Sequence, residues 1–343
     1  MKKIGNILRR KKRLIALIKK YEAYLFPGKY IICSIGPNRY AWIRVDCSEK
    51  MFRSTKRQNK FSFKNAIISK MLKSTYIINK STLLSCGTSL YVSRKGNVKI
   101  FSKDMKSVAY FVSDKSLFDK AVHYNRNYAA FFGKSIIDGF DNSCNRINER
   151  FISEKYNWRL NKSEVENATF WLINNSIEYL KSLDMELKLC KFDEFAKNVK
   201  GRTSNHELIE FVDELSSLFD IENYCVPFVY QHNDVVLSNI LKDDKGFTLF
   251  DYEFYGENVF FYDCFMWMVW EAVKYSHDDY LLDYLDGKYD DKFSLLFSQV
   301  NTSFDTNRRK DYVYMYIIAN INIHLITGDG TNIRKYKRVL NIL

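Results

Sequence analysis

The stretch Tyr230-Gln231-His232-Asn233-Asp234-Val235-Val236-Leu237-Ser238-Asn239 decides how this sequence is read, together with Phe247-Thr248-Leu249-Phe250-Asp251. Each half is an apolar run that ends in groups able to bind cations or protons. Between them lie Ile240-Leu241 and a turn over Lys242–Gly246, so the whole reads as strand, loop, strand over 226–254. A carboxylate, an amide five residues later and a second carboxylate at the end of the next strand make a sparse, hard-oxygen constellation. A polar turn with a capping Asp would use the same residue types, so the ordered set and its flanking strands carry the signal.

That pattern resembles the phosphotransferase loop of the aminoglycoside phosphotransferase and choline kinase superfamily, which shares its outline with protein kinases. Further on, Phe261-Tyr262-Asp263 is similar to the family's later Tyr-Asp, which packs under the catalytic loop. The resemblance implies ATP and Mg²⁺ as cofactors and a hydroxyl as acceptor. It implies that Asp234 orients the acceptor hydroxyl, that Asn239 and Asp251 bind the metal, and that His232 braces the loop. Phosphoryl transfer needs positioning and charge neutralisation more than covalent chemistry, which suits such a set. The family usually has Gly where this chain has Asn233, a residue that also tolerates tight backbone conformations.

The implied fold is α+β: a two-lobed protein-kinase-like fold with a β-rich small lobe, a helical large lobe and an N-terminal extension. The expected boundaries are 1–75 for the extension, 76–152 for the small lobe and 153–343 for the large lobe. Strand-like pieces fall at Thr82–Ser85, Leu90–Ser93, Val98–Ser102, Val108–Val112, Ser135–Phe140 and Arg146–Ile152, with a helix at Ser116–Phe132. Helical patterns follow at 163–183, 205–219, 260–276, 278–286 and 310–326.

In the small lobe the candidate phosphate-binding lysine is Lys99. No Glu occurs between Gly96 and Asn148, so its partner is expected to be Asp114 or Asp119, or missing. Gly87-Thr88-Ser89 is the candidate phosphate-covering turn, with Arg94-Lys95-Gly96-Asn97 as a competing hairpin. Glu149 lies in a segment that resembles the hinge strand, whose backbone contacts adenine.

Composition bounds the remainder. Of 343 residues 46% are hydrophobic, with 3 prolines and 13 glycines, which excludes wholesale disorder and collagen-like chains. The seven cysteines form no C-x-x-C pair, so free thiols in a reducing compartment are expected. No stretch reaches the roughly 20 apolar residues of a membrane span, and a cytoplasmic protein is expected. The net charge is +13, and residues 1–25 alone hold nine basic side chains against Glu22. Ile4, Ile7, Leu8, Leu14, Ile15, Ile18 and Leu25 recur there at helical spacing. Two readings stay open for this helix: a stripe packed on the body, or an interfacial element for anionic lipid. Nucleic acid is not expected as a partner, because no aromatic residues interleave the basic ones.

The stretch from Asp251-Tyr252-Glu253 to Tyr262-Asp263 looks most like kinases of bacterial envelope polysaccharides. The favoured acceptor is accordingly a sugar of an envelope glycan such as lipopolysaccharide. A kinase of aminoglycosides or choline, using the acidic residues at 278–291, is one rival; a nucleotide-binding pseudokinase is the other.

Overall fold

The computed structural model describes residues 2–36, 39–47, 74–93, 96–152, 158–183, 187, 189–328 and 333–343. Pro37-Asn38, the whole of residues 48–73, and Arg94-Lys95 of the competing hairpin lie outside the described residues. The chain divides into two compact units, residues 1–119 with 136–152, and residues 120–135 with 153–343.

The first unit is built on an eight-stranded antiparallel sheet. Its strands are β1 (Gly28–Gly36), β2 (Arg39–Arg44), β3 (Thr75–Ile78), β4 (Ser89–Val92), β5 (Val98–Phe101), β6 (Ser107–Phe111), β7 (Ile137–Asp141) and β8 (Arg146–Arg150). Their order is β3-β1-β2-β4-β5-β6-β8-β7. The two-residue side-chain period explains the layering: Val98 and Ile100 are buried on one face, while Lys99 between them points to the other. Helix α1 (Lys2–Lys20) covers the Val98/Ile100 face. Its Leu14 and Ile18, one turn apart, join Tyr30, Trp42, Leu90, Ile100 and Phe111 in one core cluster. The fully buried Trp42 indole donates to the Leu14 carbonyl at 2.9 Å, so its one polar group is satisfied.

Two expectations change here. Residues 1–75 are not set apart from the sheet, because β1 and β2 are interior strands, and β3 straddles the boundary expected at 75. Thr82–Ser85 is a turn, not a strand. The Ser85 hydroxyl accepts from the Thr82 amide at 3.0 Å and the Thr82 hydroxyl from the Leu84 amide at 3.1 Å. Such local side-chain bonds compete with a ladder.

The second unit is mostly helical. Helix α2 (Lys115–Asn127) contributes its residues from Lys120 onward. Then come α3 (Lys162–Lys181), β9 (Leu189–Lys191), α4 (Phe192–Gly201), α5 (His206–Ser217), β10 (Cys225–Gln231), β11 (Ile240–Asp243), β12 (Gly246–Leu249) and β13 (Gly256–Val259). The chain closes with α6 (Tyr262–Tyr275), α7 (Asp279–Leu285), α8 (Asp290–Ser298), α9 (Arg309–Thr327) and α10 (Ile333–Leu340). Strand β10 pairs antiparallel with both β13 and β9, and β11 forms a hairpin with β12. Helix α6 is buried along most of its length. Its Trp267 donates to the Thr169 hydroxyl of α3 at 2.9 Å. Gly133 lies against the β12 backbone: a Cβ there would sit 2.3 Å from the Phe247 carbonyl oxygen, so only glycine fits.

Candidate active site

Strand β10 delivers Gln231 and His232 into the interior of the second unit, both essentially inaccessible to solvent. Asn233 then turns the chain with φ +64°, a left-handed conformation that asparagine adopts more readily than most residues. Its side chain fixes the turn as well. Nδ2 donates to the Phe254 and Gly256 carbonyls at 3.1 and 3.0 Å, and Oδ1 accepts from Asn258 Nδ2 at 2.8 Å. A glycine could supply the conformation but none of these bonds.

Beneath the turn sits Asp263, the second residue of α6 and wholly buried. Its Oδ2 accepts from the His232 amide at 2.7 Å and the Tyr128 hydroxyl at 2.6 Å; its Oδ1 accepts from the Asn233 amide at 2.9 Å. Burial pushes the carboxyl up to about 6, while these three donors pull it back down. The loop backbone is therefore clamped on a buried carboxylate. From the other side, Arg159 donates to the Leu237 and Ile240 carbonyls at 2.8 and 2.7 Å.

His232 faces inward. Its Nε2 lies 3.1 Å from the Phe250 carbonyl, which can only accept, so the proton sits on Nε2. Burial lowers its pKa to about 3, which leaves a neutral ring whose buried Nδ1 has no hydrogen-bond partner. A ring in that state is a brace between the loop and the end of β12, not a proton-transfer group.

Asp234 follows the turn. Asn239, held in a short 3-10 turn at Leu237–Asn239, donates its Nδ2 to the Asp234 carboxylate at 2.7 Å and carbonyl at 2.9 Å. Burial, and then the negative charge of Asp251, raise Asp234 to about 7, against the lowering effect of Asn239. Asp251 itself is exposed at the end of β12, with φ +70° and ψ +59°. A left-handed aspartate costs on the order of 1–3 kcal/mol, and such strain concentrates at functional positions.

The donor chemistry fits a hard divalent cation. The Asn239 amide turns its nitrogen toward Asp234, leaving the oxygen as the donor for a metal, and Asp251 offers a carboxylate. A cation there would relieve the like-charge pressure between Asp234 and Asp251. Among the described residues no three His, Cys, Asp or Glu side chains converge as a metal cage. Mg²⁺ characteristically takes one or two protein ligands and completes its shell with water and phosphate oxygens.

In the first unit, Lys99 ion-pairs with Glu149 at 2.9 Å and lies 4.4 Å over the Tyr110 ring. Ladder register puts Lys99 opposite Tyr110 and Val108 opposite Glu149, so all four share one face of β5, β6 and β8. The partner is thus neither Asp114 nor Asp119. Asp119 pairs with Lys115 at 3.0 Å, and Asp114 accepts from the Ser116 amide at 2.9 Å. Gly87-Thr88-Ser89 is not an open turn. Thr88 and Ser89 are wholly buried, and the Thr88 amide donates to the Phe101 carbonyl at 2.9 Å. Gly87 is glycine because a Cβ would lie 2.3 Å from Ile100 Cγ2. The chain reverses instead between β4 and β5, where Gly96 takes φ +89°.

The acidic residues at 278–291 are largely neutralised. Asp279 pairs with Lys162, Asp283 with Lys288, Asp278 with Arg338 and Asp290 with Arg309. Sequence reasoning missed Tyr128, Arg159 and Asn258, which carry no motif and act only through tertiary approach.

No protein-family model matches the chain, and no curated protein sequence matches it. Among solved structures it is similar to a choline/ethanolamine kinase family protein from Mesorhizobium loti, at 12% identity and a TM-score of 0.41 over 71% of this chain and 83% of that one. It is also similar to an aminoglycoside phosphotransferase from Streptomyces rimosus in complex with ADP and streptomycin: 12%, TM-score 0.39, 67% of this chain and 92% of that one. A third is an amicoumacin kinase in complex with AMP-PNP and Ca²⁺: 9%, TM-score 0.42, 95% and 90%. At these levels the functional reading rests on the loop itself.

Proposed function

We propose that this chain is an ATP- and Mg²⁺-dependent phosphotransferase that phosphorylates a hydroxyl group. One observation carries the reading: a buried carboxylate, Asp263, clamps the two loop amides that precede Asp234, and so aims Asp234 beside Asn239 and near Asp251. In this reading Asp234 accepts the hydrogen bond of the acceptor hydroxyl. Its pKa of about 7 suits a group that must be ionised to receive a proton yet hold it through transfer. Asn239 keeps that carboxylate oriented and, with Asp251, would hold the cation, which neutralises phosphate charge when bound. His232 keeps the loop on β12. In the first unit Lys99 is the proposed ligand of the α- and β-phosphates, positioned by Glu149 rather than by a helix residue. Glu149 also removes the reason to favour a non-catalytic nucleotide binder, the apparent lack of a glutamate for Lys99.

For the acceptor we favour a sugar hydroxyl of an envelope glycan, met at the cytoplasmic face of a membrane. The resemblance of Asp251–Asp263 to envelope-polysaccharide kinases supports it. A cationic small-molecule acceptor is less supported, since four of the six acidic residues that would receive it are already paired with Lys162, Lys288, Arg309 and Arg338. The test is Mg²⁺-dependent thermal stabilisation by ATP, followed by labelled-phosphate transfer to a panel of envelope sugars, aminoglycosides and choline. Absence of any nucleotide effect would sink the reading, and transfer to choline or an aminoglycoside alone would replace the glycan.

A further inference from the structure

The two units differ sharply in charge. Residues 1–119 and 136–152 hold 29 Lys and Arg against 9 Asp and Glu, a net +20; the second unit holds 24 against 31, a net −7. The excess positive charge of the protein therefore belongs wholly to the sheet unit, and helix α1 is its most concentrated described element.

The structure sorts the faces of α1. Leu14 and Ile18 are buried in the sheet core, with Ile15 and Leu17 partly buried against it. At 100° per residue, the direction opposite that stripe is taken by Arg9, Lys12, Arg13, Ala16, Lys19 and Lys20, all exposed. Apart from Ala16 this outward face is entirely basic over about three turns, from Arg9 to Lys20. It contains no aromatic side chain on which a nucleotide base could stack.

We propose that the outward face of α1 is a docking surface for an anionic phospholipid bilayer, held by charge alone and without insertion. The partner is chosen by complementarity: a straight row of cations without a groove or stacking platform matches a planar field of phosphates. Leu14 and Ile18 are not available for insertion, because they are buried in the core that holds Trp42 and Tyr30. The proposal deepens the membrane placement given above and rests on it for the choice of partner.

The test is sedimentation with phosphatidylcholine vesicles containing about 30% phosphatidylglycerol, using the full chain without nucleotide. The wild type should bind at 50 mM salt, release at 500 mM and ignore vesicles of phosphatidylcholine alone. Each basic residue near such a surface contributes about fivefold in partitioning, the equivalent of about 1 kcal/mol. Arg9→Gln with Lys12→Gln, Arg13→Gln and Lys20→Gln should therefore weaken binding at least a hundredfold with an unchanged melting temperature. If that variant is unstable, Lys19→Gln with Lys20→Gln should still cost about 25-fold. Three results would overturn the proposal: no wild-type binding at low salt, binding that survives 500 mM salt, or variants that bind like wild type. Tighter binding to a single-stranded RNA oligonucleotide than to the vesicles would overturn the choice of partner. Since no ATP is present, loss of binding with intact phosphate transfer refutes the surface alone. Binding without any transfer refutes the phosphotransferase reading alone.

Discussion

Replacing Asp263 by Asn changes one oxygen to an NH₂ in a site that accepts three hydrogen bonds. If the amide oxygen takes the position shared by the His232 amide and the Tyr128 hydroxyl, its nitrogen faces the Asn233 amide, donor against donor. A buried donor left unsatisfied costs about 1–3 kcal/mol, and the weakening of the two remaining bonds is already contained in the net shift of the carboxyl. Against this stands the handicap of the buried ion. Its carboxyl is lifted from 3.8 to about 6, close to two units, or about 3 kcal/mol recovered when the charge is removed. The two nearly cancel, so Asp263→Asn should shift stability by no more than about 2 kcal/mol. The consequence appears in geometry instead: the Asn233 amide is pushed off its acceptor, and Asp234 moves with it. A displacement near 1 Å at a reacting group costs on the order of a hundredfold in rate. The expected result is a small change in melting temperature by circular dichroism and a loss of at least a hundredfold in ATP turnover. Tyr128→Phe, which leaves both amide bonds intact, should lose less than tenfold. Turnover of Asp263→Asn within threefold of wild type would refute the clamp, whatever the melting temperature.

Asp234→Asn should lower turnover by on the order of 10²–10⁴ while leaving nucleotide affinity nearly unchanged, and a loss below tenfold would remove Asp234 from the chemistry. Asp251→Ala should abolish the Mg²⁺-dependent thermal shift given by ATP, and Asn239→Ala should reduce it less, because a neutral ligand contributes less to the cation; equal shifts in both variants and wild type would dismiss the metal site. Asp234 and Asp263 have folded pKa values of about 7 and about 6, above 3.8, so the native state binds their protons more tightly than the unfolded chain. Their contribution to stability therefore falls as pH rises from about 4 to about 7, while turnover, which needs ionised Asp234, rises between pH 5 and 7. Lowering the pH of the Mg²⁺·ATP assay from 7 to 5.5 should cut turnover at least tenfold, while the melting temperature of the metal-free protein should not fall over the same range; a parallel fall of both would contradict the burial argument.

The strand, turn and strand around the proposed catalytic loop were legible because their information is local: the turn, the amide five residues on and the next strand all lie within about twenty residues. The helices with long apolar periodicity were legible for the same reason. What could not be read is what register and tertiary approach create. Lys99 and Glu149 are fifty residues apart and meet only because β6 lies between β5 and β8 in the sheet. Gly87 looked like a phosphate turn because glycine serves equally for a ligand and for a neighbouring Ile100. Helices α4, α8 and α10, at 8–10 residues, went unread because so few turns give the helical period little to separate from loops, although α7, at 7 residues, was read. Nothing local in strands β1 and β2 states which sheet they join.

The seating of Leu14 over Trp42 has a practical consequence for anyone who shortens this protein. Trimming the basic N-terminus looks like a clean way to obtain a simpler enzyme. It would instead open an aromatic cavity in the sheet and strand the Trp42 indole N–H without an acceptor. The exposed Trp42, Tyr30 and Ile32 would make the product adhere to vesicles, resins and itself. A truncated sample could thus sediment with lipid more strongly than the intact chain, for a reason opposite to the one under study. Point substitutions on the outer face of α1 keep that plug in place.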